Sequence, residues 1–271
     1  MSALAVLLMA AGCVEHETVI KLRPDGSGEI VETTIARGEM VEAMKGMKPE
    51  GAEAENDGRA KAEARAATIG AGVSLVSWEE LTEGGLGERT VYAFEDINRI
   101  SVGQGPDSEG GPSGGDRVSF RFTRDGGVSR LVTVFPKPAA APEQAAPAPG
   151  GSEGSTEAPA EDAAAMGEAM GEAMGQGMAE MMKPFLEGFK TRLVVEVVGD
   201  VVETDAPAVN GSAVTLMAFD FDQVLATEGA WDKITALGDE QNLVVVGQAL
   251  EGVPGVDVPS ASEVTVSFRG R

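Results

Sequence analysis

The sequence predicts an α+β fold, mostly antiparallel sheet with two or more helices and a Pro/Ala-rich linker in the middle. Three observations predict it. Alternating polar and apolar residues flank tight-turn sequences, as in β-hairpins. Helical spacing occurs on both sides of the chain's midpoint. A proline-rich stretch without apolar periodicity lies between the two halves.

The first hairpin spans Thr18 to Ile35. Val19 and Lys21 alternate with Ile20 and Leu22; Glu29, Val31 and Thr33 alternate with Ile30, Glu32 and Thr34. The intervening Pro24-Asp25-Gly26-Ser27-Gly28 is turn chemistry, because proline presets one backbone angle and glycine permits positive φ. Glu39 to Met47 then carries Met40, Val41, Met44 and Met47 at helical spacing. The polar stretch from Pro49 to Ala67 fits a helix or a partly mobile segment, ended by Gly70 and Gly72. Val73 to Trp78 and Arg89 to Phe94 are strand-like, joined by a glycine-bearing turn. Gly103 to Asp116 is a loop of Gly, Pro, Ser and acids. Arg117 to Phe122, the turn Asp125-Gly126-Gly127, and Ser129 to Val134 form the second hairpin.

Pro136 to Pro159 holds six of the chain's 14 prolines among Ala, Gly, Ser and Glu. It buries too little apolar surface to offset ordering and reads as a semi-extended linker. A helix is expected from Glu161 to Phe189, with Pro184 kinking or dividing it. Thr191 to Val198 is a strand, Val201 to Thr204 a short continuation, and Asn210-Gly211 a turn before a strand at Ala213 to Phe219. Gln223 to Thr227 suggests a helical turn; Leu243 to Val246 and Glu263 to Phe268 look like the last strands. The expected organisation is a signal peptide at 1–12, an α+β region at 13–135, a disordered linker at 136–162, and a second α+β region at 163–271. The two regions form either separate subdomains or one shared sheet.

With 271 residues and a net charge of −23, the surface repels nucleic-acid phosphate, so a nucleic-acid partner is not expected. Aromatic residues are 4% of the chain, and Trp78, Trp231 and Tyr92 are the only large amphipathic rings, which weakens sugar-cleft and single-strand-groove readings.

The absences bound the chemistry. His16 is the single histidine and Cys13 the single cysteine, so no intramolecular disulfide can form. A Ser-His-Asp or Cys-His centre would have to be built at His16. A zinc site of His and Cys lacks the three or four ligands it needs. No phosphate-binding glycine loop is present, and Gly103-Gln104-Gly105 opens no helix. No catalytic residue and no cofactor are expected. Acids are abundant, so a hydrolase using paired carboxylates stays open as an alternative. Asp220 and Asp222 would share one side of a strand and could offer hard oxygen ligands to Ca2+, although solvated carboxylates are the commoner outcome. Asp25 reads first as a turn residue.

Met166, Met170, Met174 and Met178, followed by Met182, repeat every fourth position beside a second ridge of glycines. Such a stripe winds slowly round a helix, since four residues turn it by about 400°. It suits an adaptable apolar contact with the sheet or a partner. Close helix–helix approach along the glycines is a second reading. Soft thioether ligation of Cu(I) by these four methionines is a third. A small-ligand or metal module, for Cu(I) or Ca2+, is therefore an alternative function.

The amino-terminal residues carry the most specific signal. Ala3 to Ala11 is apolar and uncharged, far shorter than the roughly 20 residues of a membrane span. It suits the core of a secretory signal peptide closed by small residues. Ala10-Ala11-Gly12-Cys13 resembles the lipobox of bacterial lipoproteins. That resemblance implies a thioether-linked diacylglycerol on Cys13, cleavage before it, and acylation of the new amino terminus. Three chains exceed the two signals that stable anchoring requires. More loosely, Cys13 to Glu32, with its Asp-Gly-Ser-Gly turn, resembles uncharacterised bacterial envelope lipoproteins; so do Val91 to Asn98 and the Leu193 to Asp200 strand. The resemblance implies a non-catalytic envelope protein, outside the cytoplasm and tethered to a membrane through Cys13. Its expected partner is an unidentified envelope protein.

Overall fold

A computed structural model describes residues 14–38, 41, 54–103, 117–136, 186–237, 243–259 and 261–271. The expected helix at Glu39 to Met47 lies outside the described residues except for Val41. All but Pro136 of the linker, and all of the expected Glu161 to Phe189 helix before Leu186, also lie outside them.

The described residues form an α+β fold with mostly antiparallel sheet. The first hairpin is β1 (Val14–Leu22) and β2 (Gly28–Ala36), paired antiparallel with Ile20 opposite Ile30. Its turn forms as expected. Gly26 takes φ +90°, which glycine adopts without steric cost, and the Asp25 carboxylate accepts from the Ser27 amide and hydroxyl at 3.0 and 2.7 Å. Those two bonds, the hydroxyl first, lower the Asp25 pKa. The polar stretch before Gly70 is helix α1 (Ala54–Ile69). Strands β3 (Ser74–Leu81) and β4 (Leu86–Phe94) follow, with β4 beside β2.

A 3-10 turn at Ile97–Arg99 leads into a second sheet. That sheet contains β5 (Ser101–Gly103), the expected hairpin β6 (Arg117–Asp125) and β7 (Val128–Val134), and two later strands, β9 (Asp200–Thr204) and β13 (Glu263–Arg269). Its order is β5-β6-β7-β13-β9. The first sheet gains β8 (Lys190–Val197), β10 (Ala208–Asn210), β11 (Ala213–Asp220) and β12 (Val256–Asp257). Its order is β10-β11-β8-β1-β2-β4-β3, with β12 on β11.

Both sheets thus combine strands from either side of residues 137–185, a block from each side meeting at one pairing. The contact that joins them in the first sheet is a parallel pairing of β1 with β8, which sets Ile20 beside Val195. Parallel neighbours need a long crossover, and the chain between β1 and β8 provides one. One apolar cluster draws on both sheets, with Ile20, Ile30, Tyr92 and Val195 from the first and Phe120, Leu131, Val266 and Phe268 from the second.

Two sequence expectations are corrected here. Leu243 to Val246 is not a strand; it lies in helix α4 (Leu243–Ala249). Val246 and Leu250 pack on Val224, Ala230 and Val253, and the Leu250 amide donates to the Val246 carbonyl. A short valine run has no period that separates strand from helix, and this small core selects the helix. Asp220 and Asp222 do not share a strand face. β11 ends at Asp220, and Asp222 stands in the first turn of α2 (Phe221–Ala226). A further helix, α3 (Ala230–Ala236), carries Trp231 and Ala230.

Candidate functional site

The most chemically distinctive place among the described residues is a polar end to an otherwise apolar sheet face. Along β1 the inward positions are His16, Thr18, Ile20 and Leu22, all buried. Strand alternation puts them on one face, and their register partners continue the division across the sheet. Ile20 pairs with Ile30 and Val195; His16 pairs with Thr34 and Thr191; Thr18 pairs with Glu32; and Glu32 pairs with Thr90.

Helix α1 covers part of this polar end. Ala62, Ala66 and Ile69 are buried against the core. Its small residues permit close approach: a Cβ on Gly58 would come within 2.4 Å of the Trp78 ring. Arg65 on the same helix meets Glu32 through two bonds, Nε to Oε2 at 2.7 Å and Nη2 to Oε1 at 2.8 Å. Two parallel bonds of this kind are the strong form of an ion pair. Arg117 at the start of β6 donates to the Ser101 hydroxyl at 2.9 Å and to the carbonyls of Ser101 and Thr68. Burial lowers the Arg117 pKa and Arg65 adds to that, while Glu32 opposes both.

His16 sits among hydroxyls. Its Nδ1 lies 2.9 Å from Thr34 Oγ1 and its Nε2 3.3 Å from Thr18 Oγ1. A hydroxyl donates or accepts, so either neutral tautomer is satisfied. Burial is the main influence on this imidazole and lowers its pKa; Glu32 acts against that and Arg65 with it. The neutral form is therefore favoured at neutral pH. Among the described residues, no carboxylate bonds to the ring to orient it as a general base. A crevice beside His16, Thr18, Gly103 and Thr191 has room for on the order of one water molecule. The arrangement holds the ring between two hydroxyls and favours its neutral form.

The carboxylates considered for Ca2+ have other work. Asp220 caps α2 by accepting from the Asp222 amide, and it accepts from Lys190 Nζ and Gln223 Nε2, each at 3.0 Å. Asp222 accepts from the Gly188 amide at 2.6 Å and lies 3.6 Å from Lys190 Nζ. An ammonium thus stands between the two acids, where a cation would otherwise bind. Among the described residues, no three His, Cys, Asp or Glu side chains are grouped to hold a metal ion. Cys13, Met166, Met170, Met174 and Met178 lie outside the described residues.

Sequence reasoning did not single out the Glu32–Arg65 pair. A signal was present: Glu32 shares strand parity with Ile30, so an acid occupies a position whose neighbour faces the core. The partner was not legible, because nothing local in α1 directs Arg65 to that strand. Among the described residues, no helix is long and apolar enough to cross a membrane.

No protein-family model matches the chain, and no curated protein matches it. Among solved structures, the NMR structure of the folded domain of LppM from Mycobacterium tuberculosis is similar over 95% of this chain and 90% of that one. The identity is 10% and the TM-score 0.29, which does not define a shared fold.

Proposed function

We propose that this protein is a bacterial envelope lipoprotein, held on a membrane by lipid on Cys13 and acting through protein contacts rather than catalysis. The observation that carries this reading is Ala10-Ala11-Gly12-Cys13 behind a short apolar run, with β1 under way by Val14. Cleavage before Cys13 would leave every described strand intact. The non-catalytic part is supported by the state of His16, whose two ring nitrogens are engaged by Thr18 and Thr34 inside the core.

The test is expression in a bacterial host, membrane fractionation, and mass spectrometry of the amino-terminal peptide, for the wild type and Cys13→Ser. The expected product begins at Cys13, carries acyl chains, and sediments with membranes; Cys13→Ser does not acquire them. An unmodified Cys13 with residues 1–12 retained would refute the anchor. Cross-linking in native cells then identifies the partner.

A further inference from the structure

The two ends of the first sheet differ in kind. At the end where β1 finishes, the connections are tight and stitched together. Gly26 accepts from the Ile97 amide, Pro24 accepts from the Ser129 hydroxyl, and Leu22 accepts from the Val198 amide. The turn at Asp125 to Val128 belongs to the same end, because Phe122 stands against Gly26.

The opposite end holds the start of β1. Val14 pairs with Ala36 and Glu15 with Lys190. Arg37 ties this end together: its guanidinium bonds to the Glu15 carboxylate, and its Nε donates to the Gly84 carbonyl at 3.0 Å in the β3–β4 turn. Val14, Leu81 and Leu86 are half-buried there. Gly38 follows β2 and Leu186 precedes β8 at this end, and Gly103 lines the crevice beside His16.

We infer that the domain rests on the bilayer with this end, the β3–β4 turn included, and directs the Asp125 turn away from it. The inference rests on the anchor proposed above and adds an orientation to it. An anchor at Cys13 adjoins Val14, so no flexible spacer separates lipid from sheet and the start of β1 is held at the head groups. Strand length does the rest. Nine residues at roughly 3.3 Å each put the far turns about 30 Å higher. Among the described residues at the lower end, Arg37 is paired with Glu15, and Lys190 with Asp220 and Asp222. The orientation therefore follows from the tether and strand direction, not from attraction to anionic lipid.

The test uses the full-length lipidated protein in phosphatidylcholine vesicles. Cys13 is the single cysteine and its sulfur is held in the thioether to diacylglycerol, so an introduced cysteine supplies the only reactive thiol. Glu83→Cys in the β3–β4 turn and Arg124→Cys beside the far turn, both exposed, each receive a fluorophore. A quencher is carried on a fraction of the lipid head groups. The Glu83 label is expected to be quenched at least twofold more than the Arg124 label, and equally so after adding phosphatidylglycerol. Equal quenching, no quenching of either, or the reverse order in protein that floats with the vesicles overturns the orientation while leaving the anchor standing. Protein that fails to float overturns the anchor and the orientation with it.

Discussion

Glu32 in β2 and Arg65 in α1 form a bidentate ion pair with 10% and 12% of their side chains exposed. It links the central part of the large sheet to the helix that covers it. A pair this buried gains little net stability by forming, but removing one partner strands a charge in the interior. Arg65→Met or Glu32→Gln is therefore expected to cost about 3–5 kcal/mol in urea unfolding. The double variant Glu32→Leu/Arg65→Met is expected to recover most of that loss, because it leaves no unpaired charge. Single losses below about 1 kcal/mol would show that water reaches the site.

The His16 pKa is lowered in the folded protein, chiefly by burial. In the unfolded chain it returns to an ordinary value near 6.5. Between the lowered folded value and about 6.5 the unfolded chain binds more protons, so stability falls as pH drops through that window. Urea midpoints measured from pH 7.5 to 5.5 are expected to decline for the wild type. In His16→Gln the decline is expected to flatten, since the carboxylates titrate mainly at lower pH. Parallel curves for the two proteins would place the proton uptake elsewhere.

Thr133 in β7 is fully buried, and its hydroxyl has no hydrogen-bond partner among the described residues. A buried hydroxyl without a partner keeps the cost of losing water and gains nothing in return. Thr133→Val keeps the branched shape and removes the oxygen. A stability gain of about 1 kcal/mol is expected, read as a raised thermal midpoint. A lowered midpoint would mean that the hydroxyl is satisfied in solution.

Local patterns were legible where a turn lies between two alternating segments. Pro24 to Gly28 and Asp125 to Gly127 specify their hairpins within about 20 residues, and both hairpins stand where the sequence places them. The Leu243 to Val246 run reads as a strand from the sequence but folds as helix, because four apolar residues satisfy either period. Alternation places Asp220 and Asp222 on one strand face, whereas Asp220 ends β11 and caps α2, with the Lys190 ammonium between the two acids.

The sequence by itself determined the α+β class, the two hairpins, the acidic surface, and the lone cysteine and histidine that confine the available chemistry. Alternation decides which face a side chain takes, but not which strand lies beside it. Only the tertiary structure decided that β8 lies parallel to β1, that β13 and β9 complete the second sheet, and that Arg65 reaches Glu32. Those contacts close long stretches of chain, so they form when the combined burial of both sheets outweighs the entropy of closure. His16 bonds to Thr18 and Thr34 within the first hairpin, but only the packing around that hairpin decided that the ring is buried.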